Sequence, residues 1–522
     1  MNPVEESKKL IAIARKLFDD IPLGRDNLAL LADLEVQLHQ PCELAIAGKV
    51  KAGKSSFLNA LIGEDLAKVG DVETTATINR FCYGKPEFPD RPVKVVWDDG
   101  HITFESLDFM DSLQGRSPEV LKTAKQIDYL EYRLEHPILR ELTIVDTPGT
   151  GAVVDEHIEA AEIYFDLREK HKLQTRVCTA HADAVVYLMG AVANMRDKAF
   201  LDDFRSSTAD GMSINAIGVL SRVDENAEVL ADRVNQAEYL AESLKQQLST
   251  VIPVSAGLHK AVKEKQHLFP RWKEDIRNIP PKIMDMMLKK DSMFTMASFS
   301  DIPVETRKDM KSGMPWSVFR TIIKTLYQAN SVEEAIKEMQ SIANIDKVRD
   351  AIDNYFFKRS KQICCSRVLA QLYELCIKVQ TLGLFQLRKE SAQLARWEQF
   401  ASRNGAKDLA AYLKKQSMPA SDIDALERMM TDTLKAPIER LQYDIQQADK
   451  DFQALCTLQA NRDMFTEEEQ NELNALFGMR SERLTIDYVM ERRDYWSGEL
   501  AFVNADIKRR IIHHAIEKYS HY

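Results

Sequence analysis

Leu44-Ala45-Ile46-Ala47-Gly48-Lys49-Val50-Lys51-Ala52-Gly53-Lys54-Ser55-Ser56-Phe57-Leu58 is the stretch from which the rest of this chain can be read. Four apolar residues run into a glycine, which predicts a buried strand ending in a turn. Beyond the turn, Phe57, Leu58, Leu61 and Ile62 fall on one side of a helix, so a helix with an apolar face is expected there. The residues between fit the pattern GxxxxGK[ST]. Glycines in such a turn let successive backbone N–H groups point inward around an anion, and the helix N-terminus adds partial positive charge. Gly48, Lys49, Val50, Lys51, Ala52, Gly53, Lys54, Ser55 and Ser56 are the candidate phosphate-binding residues. Lys54 stands where a lysine bridges β- and γ-phosphates, and the Ser55 hydroxyl where Mg²⁺ is held. A chance turn rich in glycine and lysine would lack the flanking strand and helix.

Further motifs follow in sequence order. Leu142-Thr143-Ile144-Val145 is an apolar strand ending in Asp146-Thr147-Pro148-Gly149. A carboxylate at Asp146 can hold the Mg²⁺ hydration shell, and the Gly149 N–H can meet a γ-phosphate. Ile214–Leu220 is a second such strand, ending in Ser221-Arg222-Val223-Asp224. Nucleotide sites that select guanine carry [NT]KxD here, with the aspartate accepting from guanine N1–H and the 2-amino group. Adenine lacks that pair of donors, and hydrogen bonds to a charged group contribute about 1.5–3 kcal/mol each. This chain departs twice, with Ser221 for Asn or Thr and Arg222 for Lys; the planar Arg222 head can still lie along the base. Ser255-Ala256, after Pro253-Val254, fits the element whose backbone N–H reaches guanine O6. In Val72-Glu73-Thr74-Thr75-Ala76-Thr77, Thr75 is the first choice and Thr74 the second for a threonine that touches Mg²⁺ and orients the attacking water.

The wider pattern is consistent with this site. Short apolar strands alternate with amphipathic helices between about residues 40 and 265, the mark of a mostly parallel α/β sheet with helices on both faces. Expected strands are Glu43–Ala47, Leu142–Val145, Ala184–Met189, Ile214–Leu220 and Val251–Val254. A hairpin of Val93–Trp97 and Ile102–Phe104 turns at Asp98-Asp99-Gly100. A helix-like segment lies near Leu107–Leu121, and a helix is expected from Leu230 to Leu248. Residues 5–38 and those after 265 read as helix. Val368, Leu372, Leu375, Val379 and Leu382 form a coiled-coil-like seam, broken at Asn404-Gly405 and Ser417-Met418-Pro419, with Pro437 a candidate kink and Thr466 with Glu469 a capping box. The expected division is residues 1–39, helical and packed with the C-terminal helices; 40–265, the nucleotide domain; and 266–522, an all-α bundle or stalk.

Composition narrows the partners. In 522 residues, 45% are hydrophobic and 29% charged, as in globular proteins, and the formal net charge of -10 gives no footprint for nucleic acid. Seven cysteines show no metal-ligand spacing, and reduced thiols in a cytoplasmic protein are expected. The first twenty residues fit neither a signal peptide nor an anchor, so membrane contact would be peripheral. Candidate lipid contacts are Leu382-Gly383-Leu384-Phe385, the Met-rich 284–299 segment and Lys508-Arg509-Arg510-Ile511-Ile512; each also reads as core or a solvated helix face.

The stretch between Lys54 and Asp146 is far longer than a minimal domain of this kind needs. Together with the Thr74-Thr75-Ala76 run, Asp146-Thr147-Pro148-Gly149, Val219-Leu220-Ser221-Arg222-Val223-Asp224-Glu225 and the helical C-terminal half, it makes the chain resemble bacterial members of the dynamin family over roughly residues 40 to 260. That resemblance implies a GTPase head on a helical stalk, GTP as substrate, Mg²⁺ as cofactor, homodimerisation or higher assembly through the heads, and membrane remodelling. A GTP-controlled switch or scaffold acting on a protein partner is the alternative. A ribosome-assembly or translation GTPase would share the motifs, but no basic domain or RNA-binding motif accompanies them. Thr150 follows Gly149, so a Ras-like water-positioning glutamine is missing. In dynamins a serine three residues before the phosphate-loop lysine helps hold a monovalent cation, and in guanylate-binding proteins that place carries a catalytic arginine. Here it is Lys51; two readings stand, an ammonium that replaces the cation in cis and a lysine pointing to solvent.

Overall fold

The computed structural model describes residues 2–48, 52–62, 77–147 apart from 107, 110–112 and 114–117, 182–192, 195–207, 215–296, 302–478, 484–503 and 505–521. The chain divides into two compact units, residues 40–363 and residues 1–39 with 364–522.

The first unit is built on a nine-stranded sheet: β1 Cys42–Gly48, β2 Ile78–Tyr83, β3 Val93–Trp97, β4 Ile102–Glu105, β5 Ile127–Leu134, β6 Leu142–Asp146, β7 Ala184–Met189, β8 Ala216–Leu220 and β9 Thr250–Pro253. Their spatial order is β4-β3-β5-β2-β6-β1-β7-β8-β9. β6, β1, β7, β8 and β9 are mutually parallel, with Ile46 opposite both Asp146 and Val186. Residues 44–47, all of β6 and all of β7 are buried, as near-continuous apolar runs covered on both faces should be. Because these strands run the same way, the residues after Gly48, Asp146, Leu220 and Pro253 all emerge at one edge. In open sheets of this kind ligands bind at that edge, where strand order reverses; here the reversal is at β1.

The hairpin β3–β4 forms where its turn chemistry places it, but β2 and β5 escaped the sequence reading. β2 pairs antiparallel with β6 and parallel with β5. β5, Ile-Asp-Tyr-Leu-Glu-Tyr-Arg-Leu, carries charges along its length; Glu131 is matched by Lys94 at 3.3 Å and Arg133 at 3.0 Å, so the strand tolerates residues that hide its periodicity. The segment expected as helix near 107–121 contributes a helix at Pro118–Gln126. The strand expected from Ile214 starts at Ala216. The helix expected over 230–248 is two helices, Ala227–Ala231 and Arg233–Ser243.

The division between units falls after Ile363, not after residue 265. The reason is packing. Phe269, Trp272, Met284, Met287, Phe294, Phe319, Ile322 and Met339 are buried in the same core as Tyr187, Leu220, Leu240 and Leu258 from the sheet and its flanking helices. Phe319 is central to it, with ring centroids 4.9 Å from Phe294 and 6.3 Å from Trp272. The Met-rich segment thus supplies core through Met284 and Met287 and leaves Met286 and Met296 exposed.

In the second unit, Leu10, Ile11, Ala14, Leu17, Phe18, Leu31 and Leu34 share a core with Val368, Leu372, Leu375, Val379, Leu426, Met430, Leu441 and Ile445. The seam departs from its expected course at Leu382, which is exposed. A wide helical turn over Val379–Gly383 inserts the equivalent of one residue, and Leu384 and Leu387 continue the buried face. A similar wide turn at Thr431–Lys435 sits just ahead of Pro437 within helix that runs without a break from Ala420 to Ala460, so the proline is passed by a local widening and does not end the helix. The Thr466–Glu469 capping box forms on both sides. Among the described residues one helix, Ser360–Arg403, is long and apolar enough to cross a bilayer by length and composition; Val368, Leu372 and Val379 on it face the core. Ile511 and Ile512 are buried in a further core with Trp496, so the basic run before them belongs to a helix packed in protein.

Candidate functional site

The helix Lys54–Ile62 begins where β1 ends. Gly48 takes φ +151°, and a Cβ there would lie 2.5 Å from the Leu188 carbonyl oxygen of β7. Only a residue without a side chain lets the turn leave the sheet so close to its neighbour. Gly53 takes φ +80° and its carbonyl accepts from Phe57 N–H at 2.8 Å, opening the helix. Ala52 is half-buried beside it, Ser55 is half-buried on the first turn, and Ser56 is exposed. Lys49, Val50 and Lys51 lie outside the described residues, as do Thr74, Thr75 and Gly149.

Lys54 is buried at the start of that helix, and its Nζ donates to the Gly48 carbonyl at 3.4 Å, a long bond. Its charge acts on Asp146, which the parallel pairing of β1 and β6 sets opposite Ile46. Asp146 is 1% exposed, and its Oδ1 has no hydrogen-bond partner among the described residues. Burial pushes this carboxyl up to about 6, against the opposing pull of Lys54, and pushes the Lys54 ammonium down from its ordinary value. A buried carboxylate oxygen without a donor, a hydroxyl at Ser55 and a buried ammonium form a donor set that fits a hydrated Mg²⁺ with phosphate oxygens. Thr147, which the motif reading passed over, fixes the end of β6: its N–H and its Oγ1–H both donate to the Ile46 carbonyl, at 3.2 and 3.0 Å.

The other end of the edge is built from β8 and β9. Ser221 donates from its hydroxyl to the Met189 carbonyl of β7 at 3.2 Å, which ties the turn to the sheet. Arg222 has φ +57°, left-handed for a residue with a side chain. Its Nη1 donates to Glu225 Oε1 at 2.9 Å, and its Nε lies 3.4 Å from where a Gly53 Cβ would stand. The Arg222 side chain therefore lies beside Gly53, just ahead of the helix Lys54–Ile62, joining the two ends of the site. Asp224 is 4% exposed. Its Oδ1 accepts from the Ser255 hydroxyl, and its Oδ2 accepts from the Ser317 hydroxyl at 2.8 Å. Ser255 also caps the helix Ala256–Lys265 by accepting from Leu258 N–H at 3.1 Å. The Ser255 N–H donates to the Ala343 carbonyl at 3.2 Å, so of the Ser255-Ala256 pair it is the Ala256 amide that suits a base oxygen.

Two residues here left no signal in the sequence. Ser317 has no motif around it. Arg349, on the helix Ile345–Ile352, donates from Nε to Leu61 O at 3.1 Å and from Nη2 to Ala60 O at 2.6 Å. It satisfies carbonyls at the end of the helix Lys54–Ile62 that its own turns leave open.

Residues 44–223 match the dynamin family. The isoniazid-induced protein IniC of Mycobacterium tuberculosis is 28% identical over 242 residues, covering 45% of this chain and 46% of its own length; the chain thus spans about half of that relative. Dynamin-like protein 2 of Campylobacter jejuni is 30% identical over 122 residues, 23% of this chain and 19% of its own. A solved structure of an oligomerised bacterial dynamin pair aligns over 90% of this chain and 95% of its own, at 14% identity and a TM-score of 0.34.

Proposed function

From a chain that belongs to the dynamin family through residues 44–223, we infer a protein that binds GTP with Mg²⁺ and hydrolyses it to GDP and phosphate. The observation that carries this reading is the pair of buried carboxylates at one sheet edge. Asp146 sits beside Lys54 with an open oxygen, and Asp224 is held between two hydroxyls. The first suits a metal-bound polyphosphate and the second a base with two adjacent donors.

In this reading Lys54 exchanges its long bond to Gly48 O for phosphate oxygens, whose negative charge favours the buried ammonium. Backbone N–H groups of the Gly48–Ser55 loop and of Gly149 surround the phosphates. Ser55, Thr75 (or Thr74) and, through water, Asp146 would hold Mg²⁺, whose charge offsets the negative charge that develops on the transferred group. Arg222 lies along the base, Asp224 accepts from its N1–H and 2-amino group, and the Ser255-Ala256 turn meets O6. Lys51 stabilises charge on the β- and γ-phosphates in cis, in place of a monovalent cation.

We further propose that GTP brings two heads together and that this acts on a membrane. Support for lipid contact comes from the second unit. Phe385, Trp397 and Phe400 on the helix Leu384–Arg403, and Leu409 and Tyr412 on the helix Lys407–Gln416, are all at least half exposed. That much apolar surface on adjoining helices invites an apolar partner. GTP turnover per molecule, measured across a wide range of protein concentration with and without liposomes, tests both steps. Turnover that rises with concentration and again on liposomes is expected. A rate indifferent to both would leave a nucleotide switch that acts on a protein partner, and no turnover at all would remove the hydrolysis reading.

A further inference from the structure

Asp224 presents an unusual balance of hydrogen bonds. An ionised carboxylate has about four acceptor positions, two on each oxygen. Ser255 fills one on Oδ1 and Ser317 fills one on Oδ2. Among the described residues one position remains on each oxygen, which is the number a guanine needs for its N1–H and its 2-amino group. A single hydroxyl would leave the carboxylate free to turn about its last torsion, which is broad and nearly two-fold. A hydroxyl on each oxygen fixes that torsion before any base arrives.

Ser317 lies 93 positions after Asp224, outside the 44–223 span and on the first turn of the helix Trp316–Gln328. That helix is rooted by Val318, Phe319, Ile322 and Ile323, all at 2% exposure or less, so its position is set by the core rather than by the site. Two more bonds from the same group of helices hold the neighbouring turn. Asn344 Nδ2 donates to Pro253 O at 2.9 Å, and the Ser255 N–H donates to Ala343 O. Asn344 itself sits at φ +56°, where asparagine is tolerated better than most residues, ending one helix and starting the next. The helices after residue 265 therefore build the base end of the site.

We propose that Ser317 is a positioning residue for guanine selection: its hydroxyl holds the Asp224 carboxylate in the one orientation that offers an acceptor to each of the two guanine donors. This rests on the reading of the site as a guanine nucleotide site. The residue acts through Asp224 and touches no nucleotide atom.

The test is calorimetric binding of GDP and IDP to the full chain, since hypoxanthine keeps N1–H and lacks the 2-amino group. The wild-type protein should prefer GDP. Ser317→Ala should weaken GDP by about tenfold, as loss of alignment of bonds to a charged acceptor would, and weaken IDP less, so that the GDP-to-IDP ratio falls. Ser317→Thr, which keeps the hydroxyl, should restore the ratio. Ser317→Cys, with a poor donor of similar size, should behave as Ser317→Ala and serves if the alanine variant does not fold. An unchanged ratio in both the alanine and cysteine variants overturns the inference, as does an equal loss for both nucleotides that threonine does not rescue. A wild-type protein that binds no GDP would remove the guanine reading itself, a result distinct from either.

Discussion

Asp146 and Asp224 are both nearly inaccessible carboxylates at the same edge of the same sheet, yet the protein treats them in opposite ways. Asp146 ends β6, has an oxygen with no donor among the described residues, and is pushed by burial to about 6. Asp224 has a hydroxyl on each oxygen, delivered from two separate helices. In the proposed reading the phosphate end is therefore electrostatically incomplete without a ligand, whereas the base end is organised in advance. An incomplete end gains most when a charged ligand binds, because a buried, poorly paired charge is costly. A preorganised end adds selectivity, because the wrong base leaves an aligned acceptor without its donor.

The largest effect should come from breaking the phosphate end. Lys54→Met should abolish measurable GTP turnover and weaken GDP by about 10²-fold or more, while lowering head stability by about 3–5 kcal/mol, since Asp146 loses its counter-charge. Adding Asp146→Asn should recover most of the stability in denaturant unfolding and none of the binding. If the single variant is as stable as the wild type, the Lys54–Asp146 coupling is not as described.

Next in size is Asp224→Asn. It should weaken GDP by about 10²-fold and raise affinity for XDP, because an amide can accept from xanthine N1–H and donate to its 2-oxygen. Competition binding with the two nucleotides checks it, and a variant that keeps its preference for GDP would show that Asp224 does not face the base. Arg349→Ala comes third. Leaving the Ala60 and Leu61 carbonyls unsatisfied should cost about 1–3 kcal/mol, read as a lower denaturation midpoint with GDP selectivity intact.

The smallest effect concerns pH. His259 is held below its ordinary value, first by burial and then by the neighbouring Arg349. A base whose value is depressed on folding contributes its stability above the unfolded value near 6.5 and loses it as pH falls through the folded value. The His259 contribution should therefore fall from pH 7 to pH 5, opposite in sign to that of Asp146, whose raised value favours the folded state over the same range. His259→Gln should lose that fall, so that its stability relative to wild type rises slightly on acidification, and a difference that does not change with pH would show that His259 does not contribute.

The strand ending at Gly48, the helix starting at Lys54 and the strand ending at Asp146 were legible because each is local: a few residues of apolar run, then a turn, then a polar group at fixed spacing. β2 and β5 were not, because Arg80, Glu131 and Arg133 interrupt the apolar pattern, and only pairing with neighbours such as Glu43 and Lys94 makes those charges tolerable. The boundary at 265 was misplaced for a related reason. Loss of strand periodicity marks a change of secondary structure, not the edge of a core, and Phe269, Phe294 and Phe319 carry the same core onward.

What the sequence alone determined is where the central strands end and which polar side chains stand at their carboxyl ends, because backbone turn, strand and helix signals there lie within a dozen residues of each side chain they position. What only the tertiary structure decided is how those side chains are held: Thr147 on the Ile46 carbonyl, Arg349 on the end of the helix Lys54–Ile62, and Ser317 on Asp224. A hydroxyl or guanidinium finds its partner through the packing of whole helices, and across such distances along the chain no local pattern records which partner it will be.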